Sequence, residues 1–184
     1  MKNYNKLRVV LIVLMTISIV LGAYMALKDS KTKSEEKEKN NNDITAKFYE
    51  EYPMLSKDDI FKSITLKEAN KLIENESGYF FFCNIGNFNC TKYIMYLHDE
   101  AEDQDLKTIY YIDIKEDMKK ETTEYKKLKE LTKNKLDKIE YPLSIVVNKK
   151  KIIGVNKVTD DSFWTDENIE KFRVEIMGYM YEIS

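Results

Sequence analysis

Apolar residues dominate positions 9–27, which carry no charge, and residues 28–43 then contain no apolar side chain at all. As a helix rising ~1.5 Å per residue, the first run would span roughly 28 Å, about the thickness of a bilayer core. The second run cannot bury enough surface to offset its ordering entropy and reads as a disordered tether. From Ile44 onward the spacing changes repeatedly between helical and strand periods, which marks the folded part.

Within that part, Phe48, Tyr52 and Leu55 recur at helical spacing and predict a short helix over 45–55. Residues 59–64 form a short strand candidate carrying Ile60 and Ile64. Thr65 and Glu68 make a capping box, and Leu66, Ala69, Leu72 and Ile73 form the apolar stripe of a helix ending near Asn75. Residues 79–83 are a nearly continuous apolar run, as expected of a strand covered on both faces. Helical spacing resumes from Cys90 through Tyr93, Ile94, Leu97 and Ala101, and 106–114 reads as a second central strand. One helix is predicted over 118–136, with Tyr125, Leu128 and Leu131 inward. Residues 143–147 and 151–155 read as strands joined by a tight turn at Asn148, Lys149 and Lys150. A closing helix over 164–183 carries Ile169, Phe172, Ile176, Met177 and Met180.

The order is β-α-β-α-β-α-β-β-α. Strands separated by helices imply a parallel core, and the hairpin adds antiparallel strands at one edge. The fold class is therefore α/β, a sandwich of helices about a mixed central sheet. The expected domain organisation is an N-terminal membrane anchor over 1–27, with the spanning helix at 7–27, then a tether over 28–43 and one domain over 44–184. Lys2, Lys6 and Arg8 precede the apolar run, which favours a cytoplasmic N-terminus, a single pass and an extracytoplasmic domain. A cleaved signal peptide fits less well, because Tyr24 stands two places before Ala26 and Leu21 two places before Ala23.

Composition narrows the chemistry. With 30 Lys and Arg against 32 Asp and Glu, the net charge of −2 makes no case for nucleic acid. Arg8 and Arg173 are the only arginines, which weakens phosphate binding further. Two cysteines and one histidine cannot supply a four-ligand zinc site, and no metal or organic cofactor is implied. His98 reads as a solvated helix residue, and Asp113 as a strand-end carboxylate that caps a loop.

The remaining chemistry lies at Cys90. An apolar strand runs through a turn at Gly86 to a cysteine where a helix begins, and unpaired N–H groups with the helix dipole favour thiolate there. Cys83 reads as a small core residue on the strand, too far from Cys90 to be bridged within the ~7 Å Cα limit.

The segment Gly86-Asn-Phe-Asn-Cys90-Thr-Lys-Tyr93, with Tyr141-Pro142 before the strand Leu143-Ser-Ile-Val-Val147, resembles the thioredoxin-like superfamily. Specifically it is similar to bacteriocin-transport-accessory-type bacterial thioredoxin-like proteins and their Gly-x-Pro-x-Cys-x-x-Cys motif. Ile64-Thr65 at the head of a capped helix and Tyr110-Tyr-Ile-Asp113 in the next strand extend the resemblance over roughly residues 58–183. Phe88 stands in place of the motif proline and Tyr93 in place of its second cysteine. Asn84 stands where such proteins hold a proton-transferring Asp.

The resemblance implies a cis bond at Tyr141–Pro142 and a peptide groove lined by Phe88, Tyr93, Tyr141 and Pro142 beside Cys90. Two functions follow as expectations. One is a membrane-anchored, extracytoplasmic protein that engages partner thiols or disulfides through Cys90 alone. The other is a redox-inactive module that uses the same groove to bind an exported peptide or protein, as an accessory to peptide export. The partner in either case is an exported chain offering cysteines or an extended strand.

Overall fold

A computed structural model describes residues 48–50, 52, 53, 55 and 60–184. The expected membrane span at 7–27 and the tether at 28–43 lie outside the described residues, as does most of the helix expected at 45–55. Among the described residues no helix is long and apolar enough to cross a membrane.

The strands are β1 (Phe61–Ser63), β2 (Gly78–Cys83), β3 (Ile109–Asp113), β4 (Leu143–Asn148) and β5 (Lys151–Lys157). They form a five-stranded sheet in the order β1-β3-β2-β4-β5. β3 runs parallel to both β1 and β2, while β4 runs antiparallel to β2 and β5 antiparallel to β4. Helices α1 (Leu66–Asn75), α2 (Phe88–Asp103), α3 (Lys115–Lys120), α4 (Thr123–Thr132) and α5 (Asp166–Ile183) complete the domain. The mixed α/β architecture expected from the pattern is thus present.

Alternation along β2 divides the core into two layers. Tyr79, Phe81 and Cys83 point to one face, where they pack with Tyr111, Val146, α2 and α5. Phe80 and Phe82 point to the other, with Ile112, Leu143, Ile145, Val147, α1 and α4. A strand sandwiched between two helical layers has no solvated face, which is why its sequence is a run and not an alternation. Phe48 closes one end of the first layer, its ring 4.4 Å from that of Tyr111 and 5.5 Å from that of Phe61.

Local chemistry sets the boundaries. The capping box at α1 is complete, with Thr65 accepting from Glu68 N–H and the Glu68 carboxylate accepting from Thr65 N–H. The expected helix over 118–136 is two helices. Glu121 takes a left-handed φ of 45°, and Thr122 then caps α4 by accepting from Tyr125 N–H while donating to Asp117. A threonine whose hydroxyl caps the next helix and bonds back to Asp117 competes with helix continuation, and the break follows. The turn at Lys149 and Lys150 has φ of 49° and 65°, the geometry of a two-residue hairpin that matches strand twist. In α5, Phe172, Ile176 and Met180 are buried as expected, whereas Met177 is 38% exposed.

Two buried polar groups had no signal in the apolar pattern. Asn70 is fully buried and donates to the backbone and the carboxylate of Glu124, tying α1 to α4. Glu100, on α2, is buried and paired with Arg173 of α5. Both pairings are long-range, so no local spacing announces them.

Candidate functional site

The β2–α2 junction stands at the C-terminal end of β2, in the middle of the sheet. Asn84 follows the strand, Gly86 adopts a left-handed φ of 82°, and Asn87 N–H donates to Asn84 O at 3.1 Å to close the turn. Glycine is the residue that takes this φ without a Cβ penalty. Asn87 is the N-cap of α2, and its Oδ1 accepts from Cys90 N–H at 3.0 Å. The helix therefore begins at Phe88, two residues earlier than the spacing from Cys90 predicted.

That shift changes what each residue can do. Cys90 is the third helical residue, and with Tyr93, Ile94, Leu97 and Ala101 it belongs to the buried stripe of α2. The position at the mouth of the helix, where a thiol would meet solvent, is occupied by the amide of Asn87. Cys90 has no exposed surface and is joined to Cys83 in a disulfide with a Cα–Cα distance of 6.0 Å. The expectation that Cys83 lies out of bridging range is corrected here. Strand end and helix start converge because only the short turn through Gly86 separates them, and 6.0 Å is an ordinary bridged spacing. The backbone N–H of Asn84 lies 3.4 Å from the Cys90 sulfur.

Tyr93 requires a second correction. Its ring is fully buried, 4.9 Å from Phe81 and 4.6 Å from Phe172, and it offers nothing to a groove. Its hydroxyl lies 3.5 Å from Asn156 Oδ1, and burial pushes its pKa well above the usual tyrosine value. Tyr93 is a core residue between the sheet and α5.

The other expected groove residues are placed differently. Phe88 is 54% exposed at the first position of α2, with the Lys92 ammonium 5.9 Å from its ring centroid. The Tyr141–Pro142 bond is cis, as expected. Tyr141 is half-buried, and its hydroxyl accepts from Asn84 Nδ2 at 3.5 Å. Pro142 is buried at the head of β4, its carbonyl accepting from Val158 N–H at 3.3 Å. Asn84 therefore links the Cys90 sulfur on one side to Tyr141, the residue before the cis proline, on the other.

Four aromatic or polar groups that pack at the start of α2 and before α5 were not singled out from the sequence. Trp164 stacks on Tyr96 at 5.7 Å and donates its indole N–H to Asn89 Oδ1 at 2.7 Å. Asn89 in turn donates to Asp161 at 2.8 Å. This chain fixes the first turn of α2 against the segment before α5. Asn89 is buried one residue before the expected thiol, and a buried amide with two distant partners leaves no trace in local spacing.

His98 lies further along α2, its ring 6.5 Å from Phe61, and takes no part in the junction. Asp113 Oδ1 accepts from Lys115 N–H at 3.0 Å, the loop-capping role expected of it, and burial raises its pKa. A cavity of about 460 Å³ is lined by Ser77, Gly78, Leu106, Thr108 and Tyr110. These residues precede or open β2 and β3, so it lies at the opposite end of the parallel strands from Cys90. Among the described residues no cluster of His, Cys, Asp and Glu could hold a metal ion.

No protein-family model matches this chain, and no curated protein matches it.

Proposed function

We propose that the chain is a membrane-anchored, extracytoplasmic thioredoxin-like protein that binds an exported peptide or protein without exchanging thiols or disulfides with it. The strand order, the cis proline at the head of β4 and the capped helix after β2 support the thioredoxin-like part of this reading. The apolar run at 9–27 behind Lys2, Lys6 and Arg8 supports the anchor and its orientation.

One observation carries the choice of binding over exchange. Cys90 has no exposed surface and is bonded to Cys83, while the solvent-facing position of the junction holds Asn87. A buried disulfide sulfur is poorly placed for attack by an external thiolate, and an amide cannot attack at all. What the junction does present is the exposed Phe88, and Asn84 joins the junction to the half-buried Tyr141 before the cis proline. An exposed aromatic beside backbone that is not committed to a helix suits docking of an extended chain.

The second reading, engagement of partner thiols or disulfides through Cys90, rests on the placement of that sulfur in the first turn of α2 with Asn84 N–H directed at it. The two readings separate on one residue. A photo-crosslinking side chain at position 88 of the full-length protein in intact cells should capture an extracytoplasmic chain by a contact that survives reducing gels. Phe88→Asp should lower capture from a second crosslinker at Tyr141 by on the order of tenfold, the loss typical of an aromatic anchor. Capture that disappears on reduction, or that ignores Phe88→Asp, would favour the thiol reading.

A further inference from the structure

The Cys83–Cys90 disulfide closes the segment that presents Phe88. It ties the last residue of β2 to the third residue of α2, and everything between them belongs to the turn or the helix start. The other ties across this segment are hydrogen bonds, and those that hold Asn89 to Trp164 and Asp161 fix the helix start and leave the turn at 84–87 to fewer. Asn87 N–H donates to Asn84 O, Asn87 Oδ1 accepts from Cys90 N–H, and Asn84 Nδ2 reaches the Tyr141 hydroxyl at 3.5 Å. Gly86 and Phe88 are exposed.

On the far side of Cys90, by contrast, α2 is held by a continuous buried stripe through Leu97 and Ala101. The covalent bond is thus the strongest constraint on a short surface segment whose neighbours are firmly anchored.

We infer that the Cys83–Cys90 disulfide is a redox latch on the turn carrying Phe88, closed in an oxidising compartment and opened by a dithiol reductant. The inference rests on the binding reading given above. In the opening step one thiolate of the reductant attacks a bridge sulfur, forming a mixed disulfide and releasing the other domain sulfur as thiolate. The second thiolate of the reductant then displaces the domain from that mixed disulfide. The domain gains two electrons and two protons as two thiols, and the reductant departs as a disulfide. Both sulfurs are covered, so the attack waits on opening of the 84–87 turn, and reduction is gated by local and not global unfolding. The open form holds Phe88 on a mobile segment and presents a less ordered surface to its partner.

The test uses the full-length protein in detergent micelles with dithiothreitol as the reductant, read by alkylation, intact mass and amide hydrogen exchange. Under native conditions dithiothreitol should free both thiols while the amides of 84–92 exchange on the order of tenfold faster. The amides of β2, β3 and α5 should remain the slowest to exchange, limited by global unfolding of the reduced form, and reoxidation should restore protection at 84–92. Thiols that become free only when the whole domain exchanges would overturn the latch, as would free thiols with unchanged exchange at 84–92. A crosslinker at position 88 supplies the separate readout. Faster exchange at 84–92 with weaker crosslinking supports latch and surface together. The same exchange with no crosslink in either form supports the latch and refutes the binding reading.

Discussion

Replacing Tyr93 by alanine is expected to cost the domain about 3–5 kcal/mol, the range for deleting a buried aromatic side chain. The ring is enclosed between Phe81 of β2 and Phe172 of α5, with centroid distances of 4.9 and 4.6 Å, and has no exposed surface. Alanine would leave a cavity bounded by a strand and two helices that cannot all move inward together. Urea unfolding followed by far-UV circular dichroism measures the change. A loss under about 1 kcal/mol would mean that the ring is a surface group, as the motif comparison first suggested. Tyr93→Cys should behave almost as badly and should create no disulfide reductase, because a thiol there would lie in the core. Asn87→Cys is the substitution that puts a second thiol at the mouth of α2, three residues before Cys90.

Removing the disulfide by the double change Cys83→Ala and Cys90→Ala is expected to destabilise the domain by about 2–3 kcal/mol through chain entropy, given the short loop that it closes. A sequence separation of 7 places the bridge at the low end of the loop-length dependence. The unfilled sulfur volume at two fully buried positions adds ~1 kcal/mol. Reduction of the unaltered protein should reproduce the first part and not the second, since the thiols still fill the space. The comparison of oxidised, reduced and double-alanine proteins in urea separates the two effects. Equal stability of the oxidised and reduced forms would show that the bridge constrains nothing in the unfolded chain.

Much of the architecture was legible because it rests on local signals. The run at 79–83, the Thr65–Glu68 box and the stripe of α1 each carry their own period or cap. The division of the expected 118–136 helix was less legible, because its cause is the hydrogen bonding of Thr122 to Asp117 and Tyr125 N–H. At the candidate site the pattern held an unused clue. Cys90 stands three residues before Tyr93 and four before Ile94, so the same spacing that buries those residues buries the sulfur. Reading Cys90 as the start of the helix hid this, and the cap that moves the start to Phe88 is Asn87, a residue with no apolar signal. The closeness of Cys83 to Cys90 was hidden for a related reason. Seven residues of separation say little about distance until the turn at Gly86 is known to fold the strand end back on the helix.

The state of the two sulfurs in the cell separates binding from thiol exchange most directly. Cells expressing the full-length protein can be quenched in acid, alkylated under denaturing conditions without reductant and analysed by intact mass. The expected product is protein without alkyl groups, with Cys83 and Cys90 joined to each other and to nothing else. A population carrying another chain through a disulfide at Cys90, with Cys83 alkylated, would contradict it and establish Cys90 as the thiol that engages partners.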